Sequence, residues 1–440
     1  MSPSALGPEP APAPLGDDAI GVLCETLARL WPQARVELVR SRRSDPAATV
    51  EFLVLPSARA PRMLLPAAPA AAAGAVRRFS ATAGPGEIAA RTAASGALRV
   101  GAARALPDRV RVYAEPGAPT PLVDHLGDAL GTAPPTFSLT VGPARVNRKP
   151  VLQLFDTDGR SLGFAKLGDS PTAAEHVRAE ADALEVLATR RFDTLRVPRL
   201  LHRGAWQGID VLVQQDLGVR PGSALVRTPA LAHRAEAELE AAFSEDPAPL
   251  ASLAWWGRCH ERAGAAAEPA LVARFREAME LVAARYDAPV PVSAWHGDWT
   301  PWNMAPGRRD TAPGRRDTAP GRRDTAPGRR ETAPGRGGAL LVWDWERFET
   351  GVPAGMDALH FAVNAATRRH GATADVVRNA LRAAGTSAST RSSTGASTGA
   401  AYLVAITSRY LEMSGAPGGG LIVPRAVTAL ELVEEWARAR

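Results

Sequence analysis

Two short segments hold the side chains best placed to do chemistry. His-Gly-Asp-Trp-Thr-Pro-Trp-Asn runs from His296 to Asn303, and Leu-Leu-Val-Trp-Asp-Trp-Glu runs from Leu340 to Glu346, where an apolar strand delivers Asp344 to its C-terminal end. An H-x-D triplet or an apolar strand ending in Asp is common by chance, so order and spacing give these two their weight. Asn303 and Asp344 lie 41 positions apart, and 28 of the intervening residues, Ala305–Thr332, are four tandem copies of A-P-G-R-R-D/E-T. Thirteen positions remain without the copies, enough for a two-strand hairpin that brings both side chains to one spot. One amide and two carboxyl groups, counting Asp298, could there surround a divalent ion. Lysine usage singles out further positions. Lys149 and Lys166 stand against fifty arginines, so a site that keeps Lys is one where a compact ammonium is needed and a planar guanidinium will not fit.

These groups need elements to hold them. Phe137–Val141, Val151–Phe155 and Leu162–Leu167 alternate like strands, the last two joined by a Thr-Asp-Gly-Arg turn at 157–160. Lys166 lies on the third. A helix follows from Pro171 to about Ala188, started by Ser170 with proline at its first position. Val211–Gln214 reads as a further strand running into a hinge, Gln215 to Gly218, and the rest is mainly helical: 229–243, 251–263, 269–286, 354–368, 373–384, 401–413 and 425–438. Before Thr136, helical periodicity at Asp18–Leu30 and strands at 36–38, 49–55 and 110–113 give a mixed α/β pattern without a chemical motif. The repeats carry Pro and Gly in every copy and no large apolar residue, which excludes a coiled coil and predicts a disordered surface loop. Gly385–Ala400 predicts a flexible linker.

Together the motifs resemble the aminoglycoside phosphotransferase and choline kinase group, the small-molecule branch of the protein-kinase-like fold, over roughly residues 136–440. The resemblance implies an α+β, protein-kinase-like bilobal fold, with a small antiparallel-sheet lobe and a mainly helical C-terminal lobe, here with an extra N-terminal α/β subdomain. The expected domains are a disordered tail at 1–15, the extra subdomain at 16–131, the small lobe at 132–217 and the helical lobe at 218–440, interrupted by segments 305–338 and 385–400. The resemblance makes Asp298 the catalytic-loop carboxylate that accepts the hydroxyl proton, and Asn303 and Asp344 the Mg²⁺ ligands. Lys166 becomes the lysine on the nucleotide phosphates and Glu180, 14 residues later, its ion-pair partner ahead of Glu175. Phosphoryl transfer is mostly positioning and charge neutralisation, so it requires hard oxygen ligands around Mg²⁺. Asp357, in Gly351–Leu359, matches a structural aspartate. In place of a G-x-G-x-x-G loop, Ser138–Pro150 offers Gly142, Arg145, Arg148 and Lys149 to line the phosphates, and Gln214–Leu217, with Gln215 and Leu217, borders the adenine. The implied activity is transfer of the γ-phosphate of ATP or GTP, with Mg²⁺, to a hydroxyl or amine of a small molecule such as an aminoglycoside, another antibiotic, a sugar or an amino alcohol. A non-catalytic kinase-like module that binds nucleotide or a partner is the alternative.

Composition bounds these readings. With 45% hydrophobic and 22% charged residues, the 440-residue chain is ordinary for globular proteins. Its two cysteines, Cys24 and Cys259, form no disulfide framework or metal spacing, which favours a reducing, cytoplasmic setting. The N-terminus lacks the basic start and apolar core of a secretion signal. Met63–Val76, too short to span a bilayer, reads as an Ala-rich surface helix. Of the net charge of +6, +5 resides in residues 305–338, so the globular body is balanced and neither a nucleic-acid nor a membrane partner is expected. A nucleic-acid role for the Arg repeats would make binding depend on residues 305–332. The acidic run Glu236, Glu238, Glu240, Glu245 and Asp246 reads as a solvated helix face, His296 as a brace for the catalytic loop, and Trp295, Trp299, Trp302, Trp343 and Trp345 mainly as packing.

Overall fold

Alternating apolar residues in the first half of the chain build one antiparallel sheet. In the computed structural model, which describes residues 19–77, 83–140, 149–219, 229–307, 338–387, 394–416 and 418–438, the chain opens with α1 (Ala19–Leu30), β1 (Arg35–Arg40), β2 (Val50–Leu55), β3 (Met63–Pro66), α2 (Pro69–Val76), α3 (Pro85–Arg99), β4 (Asp108–Tyr113) and α4 (Leu122–Leu130). Then come β5 (Thr136–Thr140), β6 (Val151–Phe155), β7 (Ser161–Gly168), α5 (Pro171–Ala188), β8 (Leu195–Arg196), β9 (Leu200–Trp206) and β10 (Ile209–Gln214). Nine of these strands form a single sheet in the order β1-β4-β2-β3-β5-β6-β7-β10-β9, each pair antiparallel.

The sheet does not break where a subdomain boundary near 131 was expected. β5 pairs with β3 on one side and β6 on the other. One apolar core runs across the junction, from Leu23, Leu27 and Trp31 through Phe52 and Val110 to Phe137, Leu152 and Ala165. Trp31 stacks on Phe137 with ring centroids 5.7 Å apart. On the opposite face, Met63–Val76 departs from the expected surface helix. It divides into β3 and α2, whose Ala71, Ala72, Ala73 and Ala75 are buried with Leu53 and Phe155. Alanine suits that site because the helix lies almost on the β6–β7 turn: a Cβ at Gly159 would sit 2.3 Å from the Ala70 carbonyl oxygen.

The second half is the helical lobe: α6 (Pro229–Ala242), β11 (Glu245–Ala248), α7 (Ala254–Ala263), α8 (Pro269–Arg285), β12 (Val290–Trp295), β13 (Met304–Pro306), β14 (Leu340–Val342), β15 (Glu349–Pro353), α9 (Met356–His370), α10 (Ala374–Ser387), α11 (Thr394–Gly415) and α12 (Val423–Arg438). The chain is thus α+β, an antiparallel sheet lobe followed by a mainly helical lobe. Helices α7, α8, α11 and α12 pack through Trp255, Phe275, Met279, Leu403 and Leu430. The expected linker at 385–400 is shorter than its composition suggested, because α10 reaches Ser387 and α11 starts at Thr394. Packing against α12 outweighs the low helix propensity of Gly and Ser, as where Ala396 O accepts the Trp436 indole N–H at 3.0 Å. No helix among the described residues is long and apolar enough to cross a membrane.

The hairpin expected around the repeats is present. β13 and β14 pair antiparallel with Met304 opposite Val342, and Gly307 N donates to Ala339 O at 2.8 Å. Most of the repeat segment, 308–337, lies outside the described residues. The first copy's Ala305-Pro306-Gly307 completes β13, and the partial copy Ala333-Pro334-Gly335 has the same sequence. Removing the 28 residues of the four copies should therefore preserve the hairpin. Stability should stay constant or rise by up to ~2 kcal/mol from the shorter connection, as read by urea unfolding. In the sheet core, Trp31→Ala should cost about 3–5 kcal/mol in the same assay.

Candidate active site

Strand periodicity decides where Lys166 goes. Ala165 and Leu167 point into the core beneath α1 and α4, so Lys166 emerges on the other face of β7, under α5. There Glu180, on the buried stripe of α5 with Val177, Ala181 and Leu184, has no exposed surface. Lys166 Nζ lies 2.5 and 2.6 Å from the two Glu180 carboxylate oxygens and 2.9 Å from Asp344 Oδ1. An unpaired ammonium could not be buried to this degree. Burial alone would raise the Asp344 carboxyl, but the Lys149 and Lys166 ammonium groups outweigh it and hold the group well below the usual carboxylate range.

The second half of the site is the turn after β12. His296 is fully buried, its Nδ1 accepting the Asp298 N–H at 3.1 Å and its Nε2 donating to Trp343 O at 3.1 Å. These two bonds require a neutral ring, and burial brings its pKa down to about 4. Asp357 accepts the N–H groups of His296 (2.6 Å) and Gly297 (3.1 Å), which gives it the structural role the resemblance implied. Gly297 has φ +80°, and a Cβ there would stand 2.4 Å from Arg347 O. Only glycine fits between this histidine and aspartate. The turn presents Asp298, whose side chain stays 33% exposed. Burial works against its charge, but a hydrogen bond from His360 Nε2 at 3.3 Å and the charges around it hold the carboxyl below its ordinary value. Asn303 Nδ2 donates to Asp298 Oδ2 at 2.8 Å, so its Oδ1 is turned away from that carboxylate.

The β13–β14 hairpin joins the halves. Trp343 N donates to Asn303 O at 3.0 Å. The next residue, Asp344, adopts φ +70°, a left-handed conformation that aspartate tolerates better than most residues. Asp344 is 31% exposed, and its charge is close enough to raise the affinity of Asp298 for a proton.

The residues expected from the sequence fall into groups. Lys166, Glu180 and Asp344 meet in one cluster, and Asp298 and Asn303 form the adjoining pair. Gln215 and Leu217 lie beyond the end of β10, and Gln215 Oε1 takes the Arg199 guanidinium Nε–H at 3.2 Å. Gly142 and Arg145, with Arg148, lie outside the described residues. Glu346 was overlooked although it shares the Asp344 segment; its carboxylate joins those of Glu180 and Asp344 within 4.8 Å of one another. His360, one helical turn beyond Asp357, was also missed, as was Tyr402, whose hydroxyl lies 3.2 Å from His360 Nδ1. Arg409, which donates to Gly297 O at 2.5 Å and lies 4.2 Å from the Trp295 ring centre, had no sequence signal. Of the acidic run, Glu245 and Asp246 are exposed on β11, but the three glutamates of α6 are not a solvated face. Glu236 is buried, Glu238 receives the Thr194 and Leu195 N–H groups, and Glu240 receives the N–H of Gly355. Burial and the Glu236 charge push Glu240 up to about 7.

Carboxylate oxygens of Glu180, Asp344 and Glu346 gather within 4.8 Å of one another, and the Asn303 amide oxygen is a further hard donor of the kind Mg²⁺ takes, so the donor chemistry fits a divalent cation. The neutral His296 gives a pH signature. Between pH 6.5 and about 4 the unfolded chain binds a proton at this residue that the folded chain refuses. Its contribution is therefore complete above pH 6.5 and falls by about 3 kcal/mol as pH drops to 4. Glu240 contributes a slope of opposite sign between pH 4.5 and 7. The check is consequently the difference between wild type and His296→Asn in urea unfolding, which should shrink as pH falls through that window.

No family model matches the chain, and no curated protein does. Among solved structures, the chain is similar to a protein provisionally named fructosamine-3-kinase from Thermobifida fusca YX-ER1, at 16% identity and a TM-score of 0.39, over 70% of this chain and 98% of that one. It is also similar to one of the same provisional name from Haemophilus somnus 129PT, at 13% identity and a TM-score of 0.36, over 71% and 96% of the two chains. A third is a microcompartment-associated aminopropanol kinase, at 12% identity and a TM-score of 0.38, over 68% and 92%.

Proposed function

We propose that this protein is a small-molecule kinase that transfers the γ-phosphoryl group of ATP or GTP, with Mg²⁺, to a hydroxyl or amine. The observation that carries the reading is the meeting of Lys166, Glu180 and Asp344 at the seam of the two lobes, beside an accessible Asp298 held by Asn303. In the transfer, a bond forms between the acceptor oxygen or nitrogen and the γ-phosphorus, and the bond from that phosphorus to the β–γ bridging oxygen breaks. The acceptor proton passes to Asp298, and the nucleoside diphosphate leaves. Asp298 is ionised at neutral pH and exposed enough to take that hydrogen bond. Its two oxygens have separate restraints, His360 on Oδ1 and Asn303 on Oδ2, which fix the carboxylate plane. Lys166, locked by Glu180, presents one ammonium to the phosphates. Asn303, Asp344 and Glu346 would hold Mg²⁺, which neutralises phosphate charge when bound.

A thermal-shift assay with ATP or GTP tests this directly. Wild type should be stabilised only when Mg²⁺ accompanies the nucleotide, and Asp344→Ala should lose that Mg²⁺ dependence. In a phosphorylation screen over amino alcohols, sugars and aminoglycosides, Asp298→Asn should lower kcat by roughly 10²–10⁴-fold while still binding nucleotide. Nucleotide stabilisation that ignores Mg²⁺ and survives Asp344→Ala would refute the proposal.

A further inference from the structure

One of the two lysines is accounted for by Glu180. The other reaches the same carboxylates from just ahead of the neighbouring strand β6. Val151 pairs with Lys166 across β6 and β7, and Leu167 N donates to Pro150 O at 3.1 Å, so the register continues past the end of β6. By the two-residue period, position 149 faces the same side as Lys166. Lys149 Nζ lies 3.2 Å from Asp344 Oδ1 and 3.4 Å from Glu180 Oε2, and it bonds to Glu346 Oε2. Its side chain is only 11% exposed.

The two ammonium groups share Asp344 Oδ1 and Glu180 Oε2, and they differ in their remaining partners. Lys166 takes both oxygens of Glu180. Lys149 bridges Asp344 and Glu346, the two carboxylates that suit a divalent cation. A divalent cation on those carboxylates would compete with the ammonium for their negative charge. Binding the cation therefore weakens the hold of Asp344 and Glu346 on Lys149, leaving it Glu180 Oε2 at 3.4 Å. A charged group on a flexible four-carbon stem then gains from another anion nearby. Nucleotide phosphates beside the cation are such an anion, in a chain whose sequence lacks a glycine-rich cradle of backbone amides.

We propose that Lys149 is a second phosphate-binding residue, stored on Asp344 and Glu346 in the nucleotide-free protein and released to the phosphates of a nucleoside di- or triphosphate when a divalent cation takes those carboxylates. This deepens the kinase reading and rests on it.

Two lysines make the test unusually direct. An acyl-phosphate derivative of ATP, added with Mg²⁺, marks amines beside the phosphates: a deprotonated lysine attacks the acyl carbon, an amide forms, the acyl–phosphate bond breaks and ATP departs. Peptide mapping by mass spectrometry of the wild-type protein should find label on both Lys149 and Lys166, suppressed by excess ATP. Label on Lys166 alone overturns the role of Lys149 and leaves the kinase reading standing, whereas no ATP-suppressible label on either lysine overturns both. Equilibrium binding supplies a second measurement. Lys149→Met should weaken MgADP about tenfold, the loss of one charge-assisted contact, while Mn²⁺ binding to the nucleotide-free protein, followed by electron paramagnetic resonance, should tighten. MgADP affinity within twofold of wild type, or unchanged Mn²⁺ affinity, overturns the proposal.

Discussion

An ammonium group can leave water only if its counter-charges arrive with it, and the pairing of Lys166 with Glu180 and Asp344 is the constraint around which this molecule is arranged. The three groups come from the sheet, from α5 and from the end of β14 in the helical lobe, so the lobes must meet in one register for the cluster to close. Apolar contact supplies the adhesion. Leu184 of α5, Leu212 of β10 and Leu239 of α6 pack with Trp299, Leu340 and Trp345 in a shared layer next to the charges. That layer would tolerate small slips, since hydrophobic burial is not directional. The ion cluster does not, because a displaced partner would leave a buried charge alone at a cost of several kcal/mol.

The turn that carries Asp298 is held by a different means. Its backbone is gripped at four points: two N–H groups by Asp357, one carbonyl by Arg409 and the Asp298 N–H by His296. Such a turn keeps its path without drawing on the Asp298 carboxylate, whose oxygens meet His360 and Asn303 instead. Burial drives the neutral state of His296 and also lowers Arg409 to about 10, so this support consists of hydrogen-bond acceptors and one donor placed by packing. Indole rings provide the packing. Trp295 lies under Arg409, and Trp345 lies 4.5 Å from the His296 ring centre.

Much of this was legible in the sequence where local pattern and chemistry coincide. The Thr-Asp-Gly-Arg turn, the Ser170-Pro171 helix start and the hairpin flanking the repeats are all set by neighbouring residues, and each appears where the pattern puts it. Lys166 and Glu180 could be paired from spacing on a strand and a helix, given the resemblance. What depended on distant contacts was not legible. The nine-stranded sheet joins segments that look like separate units, because strand pairing between β3 and β5 leaves no trace in composition. Alanine-rich α2 gives little sign of whether it is covered, and the buried glutamates of α6 resemble any charged helix face until Thr194, Leu195 and Gly355 are brought against them. Arg409 lies 112 positions from the turn it holds, and only the fold makes it a neighbour.

The N-terminal strands also decide where the sheet stops. Without them β5, with Phe137 and Leu139 buried, would be an outer strand offering unpaired amide groups beside an apolar surface, a template on which another chain could add. With them the boundary moves to β1, Arg-Val-Glu-Leu-Val-Arg, whose Arg35 and Glu37 are paired and whose Arg35 lies over Tyr113. At the far side β9 carries Arg203, bonded to Asp182 and Glu185 of α5. Both margins of the sheet thus end in charge, which discourages edge-to-edge association of copies of this chain and keeps a wide antiparallel sheet from growing into an aggregate.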